Sequence, residues 1–410
     1  MNKSFVSLLL FIMPVWVCAQ WLPAEYIPYG VNKFNSVWFA DDQVGFVVGD
    51  AGEILRSADG GKNWQQKISG INTNLYDVCF PAPSTGWAVG GEGMMAGTTD
   101  GGVTWQQQNV GTVSDLLSVT FGDPASGFVC GDQGTLLRNL TGGTQWDLLS
   151  FGNLGKYVHI QFVSPATGFS LRASGIQPNG TLLRTTNGAN TWQEIQSIPG
   201  VTSFHFTGNQ SGFASFTIEI GPTADTRFYS SADGGLTWTM ENPDCPDFLE
   251  IFFVNDSTGY GITYTGIHKT TDKGKTWKNQ LTGGSQMFTG IYFLDPYLGF
   301  AVGYDGKIFR TTNGGELAIG DPQTDTGIRM SVFPNPFGDF TAISCGIPAR
   351  SRLKLVILNA MGVELFQVAD QEVTPGDCIF RIDGSALSPG VYYCSLNAGS
   401  GNLVRKMIKL

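Results

Sequence analysis

The chain has 410 residues and a formal net charge of −10, with 42% hydrophobic, 12% aromatic and only 14% charged residues. Residues 330–410 hold seven Lys/Arg against six Asp/Glu, so the remainder carries −11. That balance excludes a nucleic-acid partner, whose affinity rests on cationic contacts to phosphate.

The elements follow in chain order. Residues 1–19 are expected to be a secretory signal peptide: Lys3 is the charge, Phe5 to Val17 is apolar, and Val17-Cys18-Ala19 fits a small-x-small cleavage site before Gln20. No later run approaches the ~20 apolar residues of a membrane helix. An orphan Trp21 then opens the mature chain.

From residue 37 onward two phrases recur. A Gly followed by an aromatic appears as Gly45-Phe46, Gly86-Trp87, Gly127-Phe128, Gly168-Phe169, Gly212-Phe213, Gly259-Tyr260 and Gly299-Phe300, at spacings of 41, 41, 41, 44, 47 and 40 residues. Six residues before each Gly stands a Phe (39, 80, 121, 162, 206, 253 and 293), and two before that Val37, Val78, Val119, Ile160, Phe204, Ile251 and Ile291. Apolar residues two apart share one face of a strand. The second phrase is a turn and a Trp: Asp59 with Trp64, Asp100 with Trp105, Asn187 with Trp192, Asp233 with Trp238 and Asp272 with Trp277. Its third copy is degenerate, with Thr141 in the Asp column before Trp146, and its seventh has Asn313 but no Trp.

Each unit is expected to hold four short strands: the Val-x-Phe strand, the Gly-aromatic strand, a third such as Ile54-Leu55-Arg56, and a fourth carrying the Trp. Tight turns such as Gly49-Asp50-Ala51-Gly52 join the second to the third, with Gly and Asp at positions needing positive φ. Four strands per unit of forty-odd residues predict an all-β fold, a seven-bladed β-propeller over residues 20–316. Trp21 lies 18 residues before Phe39, against 14 to 16 for the other Trp-to-Phe intervals. The N-terminal segment is therefore expected to supply the last blade's fourth strand and remove the open edges.

The phrase Ser/Thr-x-Asp-x-Gly-x-Thr-Trp resembles the Asp-box, or BNR repeat, of sialidases and other propellers. The longer phrase from Gly86-Trp87-Ala88-Val89-Gly90 to Trp105 resembles the propellers of photosystem II stability and assembly factors. That resemblance implies structural turns, in which the Asp accepts backbone N–H bonds and the Trp packs into the blade. Repetition points the same way, because an active site occurs once and a fold element in every blade. Burying each of the seven Phe residues contributes roughly 1.5–3 kcal/mol.

The Asp-box likeness raises a glycoside hydrolase as the alternative function. A sialidase needs three converging arginines, a Tyr nucleophile with a Glu, and an Asp acid/base. Residues 20–316 hold six arginines, and Arg56, Arg138, Arg184 and Arg310 fall in one column just before the turn. A hydrolase of neutral glycans needs two carboxylates at a suitable separation. Asp50, Glu92, Asp132 and Asp305 lie in Gly-rich turns, where repetition favours a turn role. No catalytic, cofactor-binding or metal-binding residue is assigned. The favoured reading is a non-catalytic adhesion or scaffold propeller with a protein or glycan partner. Segments 173–180 and 218–227 read as insertions, either a contact region with Arg172 and Arg227 nearby or merely longer loops.

Residues 317–329 read as a linker. Beyond it, residues 330–410 read as a small β-sandwich, with Pro334-Asn335-Pro336, the strand Leu353 to Leu358, Met361-Gly362, Leu387-Ser388-Pro389-Gly390-Val391-Tyr392 and a basic end with Arg405, Lys406 and Lys409. This resembles the type A C-terminal sorting domain of type IX secretion substrates in Bacteroidota. It implies passage across the outer membrane by that translocon and removal by a sortase-like peptidase. Release or attachment to surface lipopolysaccharide follows. Asn359 stands where relatives often have Asp.

Cys79, Cys130, Cys245, Cys345, Cys378 and Cys394 remain after cleavage and match no zinc or redox spacing. A bridge among the last three is possible in an oxidising compartment and its pairing is open. His159, His205 and His268 occupy unlike repeat positions and are read as strand residues.

Overall fold

The computed structural model describes residues 21–24, 33–143, 145–151, 155–174, 177–195, 200–220, 223–282, 288–315, 329–333, 335, 337–338, 340–359, 363–399 and 401–409. The expected signal peptide, most of the linker, Pro334, Pro336 and Met361-Gly362 lie outside them. The chain forms two compact units, residues 1–317 and 318–410.

In the first unit every repeat folds into antiparallel strands in chain order. The first blade runs Phe34–Phe39, Gly45–Gly49, Ile54–Ser57, Gln65–Gln66, and the next five repeat the plan. The seventh has three strands of its own, Phe288–Phe293, Gly299–Gly303 and Ile308–Thr311, and takes its fourth, Leu22–Pro23, from the chain start. Leu22 pairs with Arg310 and Pro23 with Phe309, so the N-terminal segment closes the ring as expected.

In the first, second, third and seventh blades the turns between second and third strands have left-handed central residues: φ is 56° and 73° at Ala51 and Gly52, and 58° and 72° at Glu92 and Gly93. This geometry matches strand twist. The Trp, however, stands just ahead of the short fourth strand: Trp64 precedes Gln65–Gln66. There it is anchored by its ring packing. The described residues of segments 173–180 and 218–227 are also in strands, which lengthen the hairpins to Gly168–Ser174 with Gln177–Thr185, and Gly212–Ile220 with Thr223–Ser231. Gly180 pairs with Val201, which joins the fourth and fifth blades into one sheet.

The two sequence columns meet between blades. The aromatic of each Gly-aromatic pair stacks on the inner-strand Phe of the following blade. Ring centroids are 3.9 Å apart for Phe46 on Phe80, 4.7 Å for Trp87 on Phe121, and 3.4 Å for Phe128 on Phe162. Phe169 on Phe206 is at 3.4 Å, Phe213 on Phe253 at 3.7 Å, and Tyr260 on Phe293 at 3.6 Å. The ring closes with Phe300 on Phe39 at 3.7 Å. A Trp meets each pair edge-on. Trp64 lies 5.8 Å from Phe39, and Trp21 takes the equivalent place 5.7 Å from Phe293. Such pairs add roughly 0.5–1.5 kcal/mol beyond area burial. The glycines make room: a Cβ on Gly45 would stand 2.3 Å from the Phe39 ring, and one on Gly61 2.2 Å from Phe300.

The second unit pairs two sheets. One orders Arg329–Phe333, Phe340–Ile347 and Gly376–Asp383; the other orders Glu364–Val373, Ser351–Asn359, Gly390–Ala398 and Gly401–Lys409. Ile343, Cys345, Leu355, Ile357, Leu396 and Met407 are buried together between them. Cys345 and Cys378 stand opposite each other on paired strands, and all six described cysteines are free thiols.

Candidate functional site

The Asp-box side chains are spent on their own turns. Asp100 Oδ1 accepts from Thr98 Oγ1 at 2.8 Å, Val103 N at 3.0 Å and Thr104 N at 2.9 Å, while Oδ2 takes Thr104 Oγ1 at 2.7 Å. The bonds from the Thr104 backbone and hydroxyl hold its carboxyl down at about 2. Those from Thr237 do the same for Asp233. Asp59 and Asp272 repeat the pattern, and Asn187 matches it through Thr191 N at 3.0 Å. Asn313 Oδ1 accepts from Thr311 Oγ1 at 2.9 Å. In the degenerate third turn, where Thr141 stands in the Asp column, Asn139 replaces the box Ser/Thr two residues earlier, its Oδ1 accepting from Thr141 N and Gly143 N at 2.9 and 2.7 Å as the Thr98 hydroxyl accepts from Asp100 N and Gly102 N.

The arginine column clamps neighbouring blades. Arg56 Nε donates to Gly101 O at 2.8 Å, Arg310 Nε to Gly60 O at 2.6 Å, and Arg138 Nη1 to Gly188 O at 3.1 Å. Each reaches the box turn of an adjoining blade, so the column has a packing role rather than converging on a sugar carboxylate. Arg172 is half-buried and paired with Glu194 at 2.7 Å, and Arg227 is paired with Asp225 at 2.6 Å.

A cavity of about 540 Å³ lies where the inner strands converge. Inner strands have one unpaired edge, and side chains of the preceding blade cover it at two levels. At the first, Asp77 Oδ2 accepts from Val119 N at 2.9 Å, Ser118 Oγ from Ile160 N at 3.4 Å, Ser203 Oγ from Ile251 N at 3.0 Å, and Glu250 Oε2 from Ile291 N at 3.2 Å. Two residues further along the strands, Thr120 Oγ1 accepts from Phe162 N at 3.3 Å, Gln161 Oε1 from Phe206 N at 2.8 Å, and His205 Nδ1 from Phe253 N at 3.4 Å.

The carboxyls at the first level differ. Asp77 also accepts from Ser36 Oγ at 2.8 Å and Val78 N at 2.9 Å. Burial still raises its pKa against those bonds. Burial, reinforced by Asp77, pushes Glu250 up to about 8, so it is mostly protonated at neutral pH. Burial lowers His159 to about 4, and burial with His159 nearby lowers His205 to about 3, so both imidazoles are neutral. The two histidines are strand residues, as expected, and they share the cavity. Among the described residues no group of three or more His, Cys, Asp or Glu could hold a metal ion.

Sequence reasoning missed Asp77 and Glu250. The signal was present: the column one residue before Val/Ile reads Ser36, Asp77, Ser118, His159, Ser203, Glu250 and Gly290. Two acids among small residues on a buried strand stand out.

In the second unit, Asn335 Oδ1 accepts from Ile408 N at 2.7 Å and Phe337 N donates to Ile408 O at 2.9 Å. Asn335 and Phe337 are thereby stitched to the basic last strand, which contains Arg405, Lys406 and Lys409. Tyr392 Oη donates to Ser388 O at 2.8 Å across Pro389-Gly390.

Residues 63–194 match the family model described as photosynthesis system II assembly factor YCF48. Residues 331–410 match the secretion system C-terminal sorting domain. No curated protein matches the chain. Among solved structures, YCF48 bound to D1 peptide superposes with a TM-score of 0.59 at 19% identity, covering 72% of this chain and 97% of that one. YCF48 from Cyanidioschyzon merolae gives 0.59 at 17%, covering 72% and 99%. An ancestral GH74 enzyme gives 0.56 at 13%, covering 94% and 63%. At these identities the likeness shows the propeller fold. The sorting domain marks the chain for export by type IX secretion to the cell surface or the medium. No helix among the described residues is long and apolar enough to cross a membrane.

Proposed function

We propose that the mature protein is a non-catalytic binding propeller, delivered by its sorting domain and holding a protein or glycan partner outside the cell. The observation that carries this reading is the pair of lengthened hairpins in the fourth and fifth blades. The second-to-third-strand turns all lie beside the starts of inner strands: Asp50 N bonds Lys33 O at 3.0 Å, and Gly91 N bonds Asn74 O at 2.9 Å. In the fourth and fifth blades the corresponding bonds are Ala173 N to Lys156 O at 2.8 Å and Thr217 N to Gly200 O at 3.2 Å. The strands continue past that level in these two blades, so one sector stands proud of an otherwise even face. Arg172 and Arg227 sit at its base with their carboxylate partners. The repeat-unit carboxylates are engaged in turns, which supports binding over turnover. A YCF48 propeller solved with a peptide supports a peptide as one ligand class for this fold.

The test is incubation of the purified chain with arrays of glycans and peptides, followed by mass spectrometry of the mixture. Saturable binding without product, weakened by shortening the two hairpins, is the expected result. New sugar fragments that depend on the protein would overturn it in favour of the glycoside-hydrolase alternative.

A further inference from the structure

The polar level of the central cavity has a counterpart one level deeper. There the inner strands of four consecutive blades contribute His205, Phe252, Tyr292 and Trp38. These rings form a continuous arc, with centroids 4.7 Å apart for His205 and Phe252, 5.5 Å for Phe252 and Tyr292, and 4.9 Å for Tyr292 and Trp38. The remaining blades place Cys79, Thr120 and Gln161 at this position, so the aromatic surface is confined to one side. Two residues of strand separate the levels, a rise of roughly 6–7 Å. That is the dimension of a small substituted ammonium group.

We propose that the cavity is a binding site for an organic cation, an alkylammonium or guanidinium group seated between the aromatic arc and the carboxyls of Glu250 and Asp77. Aromatic faces attract cations through their quadrupole, most strongly where water is excluded. Asp77 is saturated by hydrogen bonds from Val119 N, Ser36 Oγ and Val78 N, which hold its carboxyl in place at the cavity wall. Glu250 has one described hydrogen bond, from Ile291 N–H, and lies free to turn its other oxygen to a ligand. The mouth is complementary. The charges of Asp115, Asp50 and Asp132 all bear on Tyr76 at its rim and raise its pKa together with burial. One of them, Asp132, is partly offset by Lys156 at 3.5 Å. A mouth of this sign concentrates cations.

Binding is linked to a proton. With the cation seated, Glu250 loses its carboxyl proton to solvent and becomes the counter-ion. The titratable groups facing it are Asp77, His159, His205, Tyr292 and, at the mouth, Tyr76. Both histidines stay neutral above about 4, and burial holds the Tyr292 hydroxyl protonated. Burial raises Asp77 as well, and its hydrogen bonds oppose that rise, whereas Glu250, with a single such bond, is pushed up to about 8. The site goes beyond the binding reading above and stands whether or not the lengthened hairpins hold a partner.

The test is isothermal titration of the full chain with tetramethylammonium chloride. Tert-butanol serves as a neutral probe of similar shape and sodium chloride as the ionic-strength control. Saturable binding of tetramethylammonium, at least ~10-fold tighter than tert-butanol, is expected. Its affinity should rise by up to roughly 10-fold per pH unit below about 8 and level off above it. Glu250→Gln should bind more weakly and without that pH dependence, and Trp38→Leu should lose binding. Glu250→Gln is nearly isosteric and removes a buried ionisable group, so it keeps the test intact should Trp38→Leu fail to fold. No saturable binding, equal affinity for tert-butanol, or an unchanged Glu250→Gln would each overturn the site. Any of these would leave partner binding at the hairpins untouched.

Discussion

The joints between blades and the cavity they surround are built from the same seven strands and obey opposite rules. At the joints one residue type recurs: Phe, two residues after the Val/Ile/Phe column of every inner strand, each stacked on the preceding blade's aromatic. At the cavity the positions three and one residue before that Phe vary from Gly to Glu and from Cys to Trp. Both sets of side chains contact the next blade. The joints need shape, so one solution serves seven times. The cavity side chains need only one acceptor for an edge amide, which Ser, Thr, Gln, Asp, Glu or His can supply. That freedom leaves room for chemistry specific to this chain.

The largest expected effects fall on the joints. Phe206→Ala should lower stability by about 3–5 kcal/mol, read as a fall in the denaturation midpoint, since the ring is buried between Phe169 and Trp238. Trp21→Ala should approach it, because the indole fills the seventh Trp place; a negligible change would show that the seam contributes little.

Glu250→Gln comes next and sharpens the cavity side. The folded pKa of Glu250 lies near about 8, above its ordinary value of 4.5. Its contribution is complete below 4.5 and is lost as pH rises through about 8. The wild type should therefore lose stability across that window, by up to roughly 5 kcal/mol, and the variant should not. Melting temperatures across a pH series measure the difference. Parallel curves for the two proteins would mean Glu250 is not buried in acid form.

Arg56→Met should cost about 1–2 kcal/mol by removing the clamp on Gly101 O. The smallest effect belongs to Arg227→Ala. Its ion pair lies on one strand and at the surface, so the midpoint should not move measurably. A large drop there would give the hairpin base a structural role instead.

Legibility in the sequence follows the same division. The Phe and Gly-aromatic columns predicted the strands, and the orphan Trp21 predicted the closing strand, because each reflects a repeated steric demand. The arginine column was visible without its purpose. Its meaning depends on a carbonyl in another blade, which spacing does not reveal. Segments 173–180 and 218–227 read as insertions, because their Gly and Pro residues suggest loops, but the strands started by Gly168 and Gly212 run on into them, to Ser174 and Ile220. Asp77 and Glu250 escaped notice because each acid occurs once, and a search for repeats discards such residues. Their significance comes from burial and from neighbours four blades apart.

The seam has a consequence for how the protein reaches its final state. Leu22 and Arg310 are about 290 residues apart in sequence, so their pairing is among the longest-range contacts in the first unit. Closing so long a loop is entropically unfavourable until the intervening blades have stacked. The ring is then completed last, by a segment synthesised first. A chain shortened past residue 20 would lose Trp21 and leave the last blade with an unfilled slot beside Phe293. The start of the chain and the folding of the blade made last are coupled through a single indole.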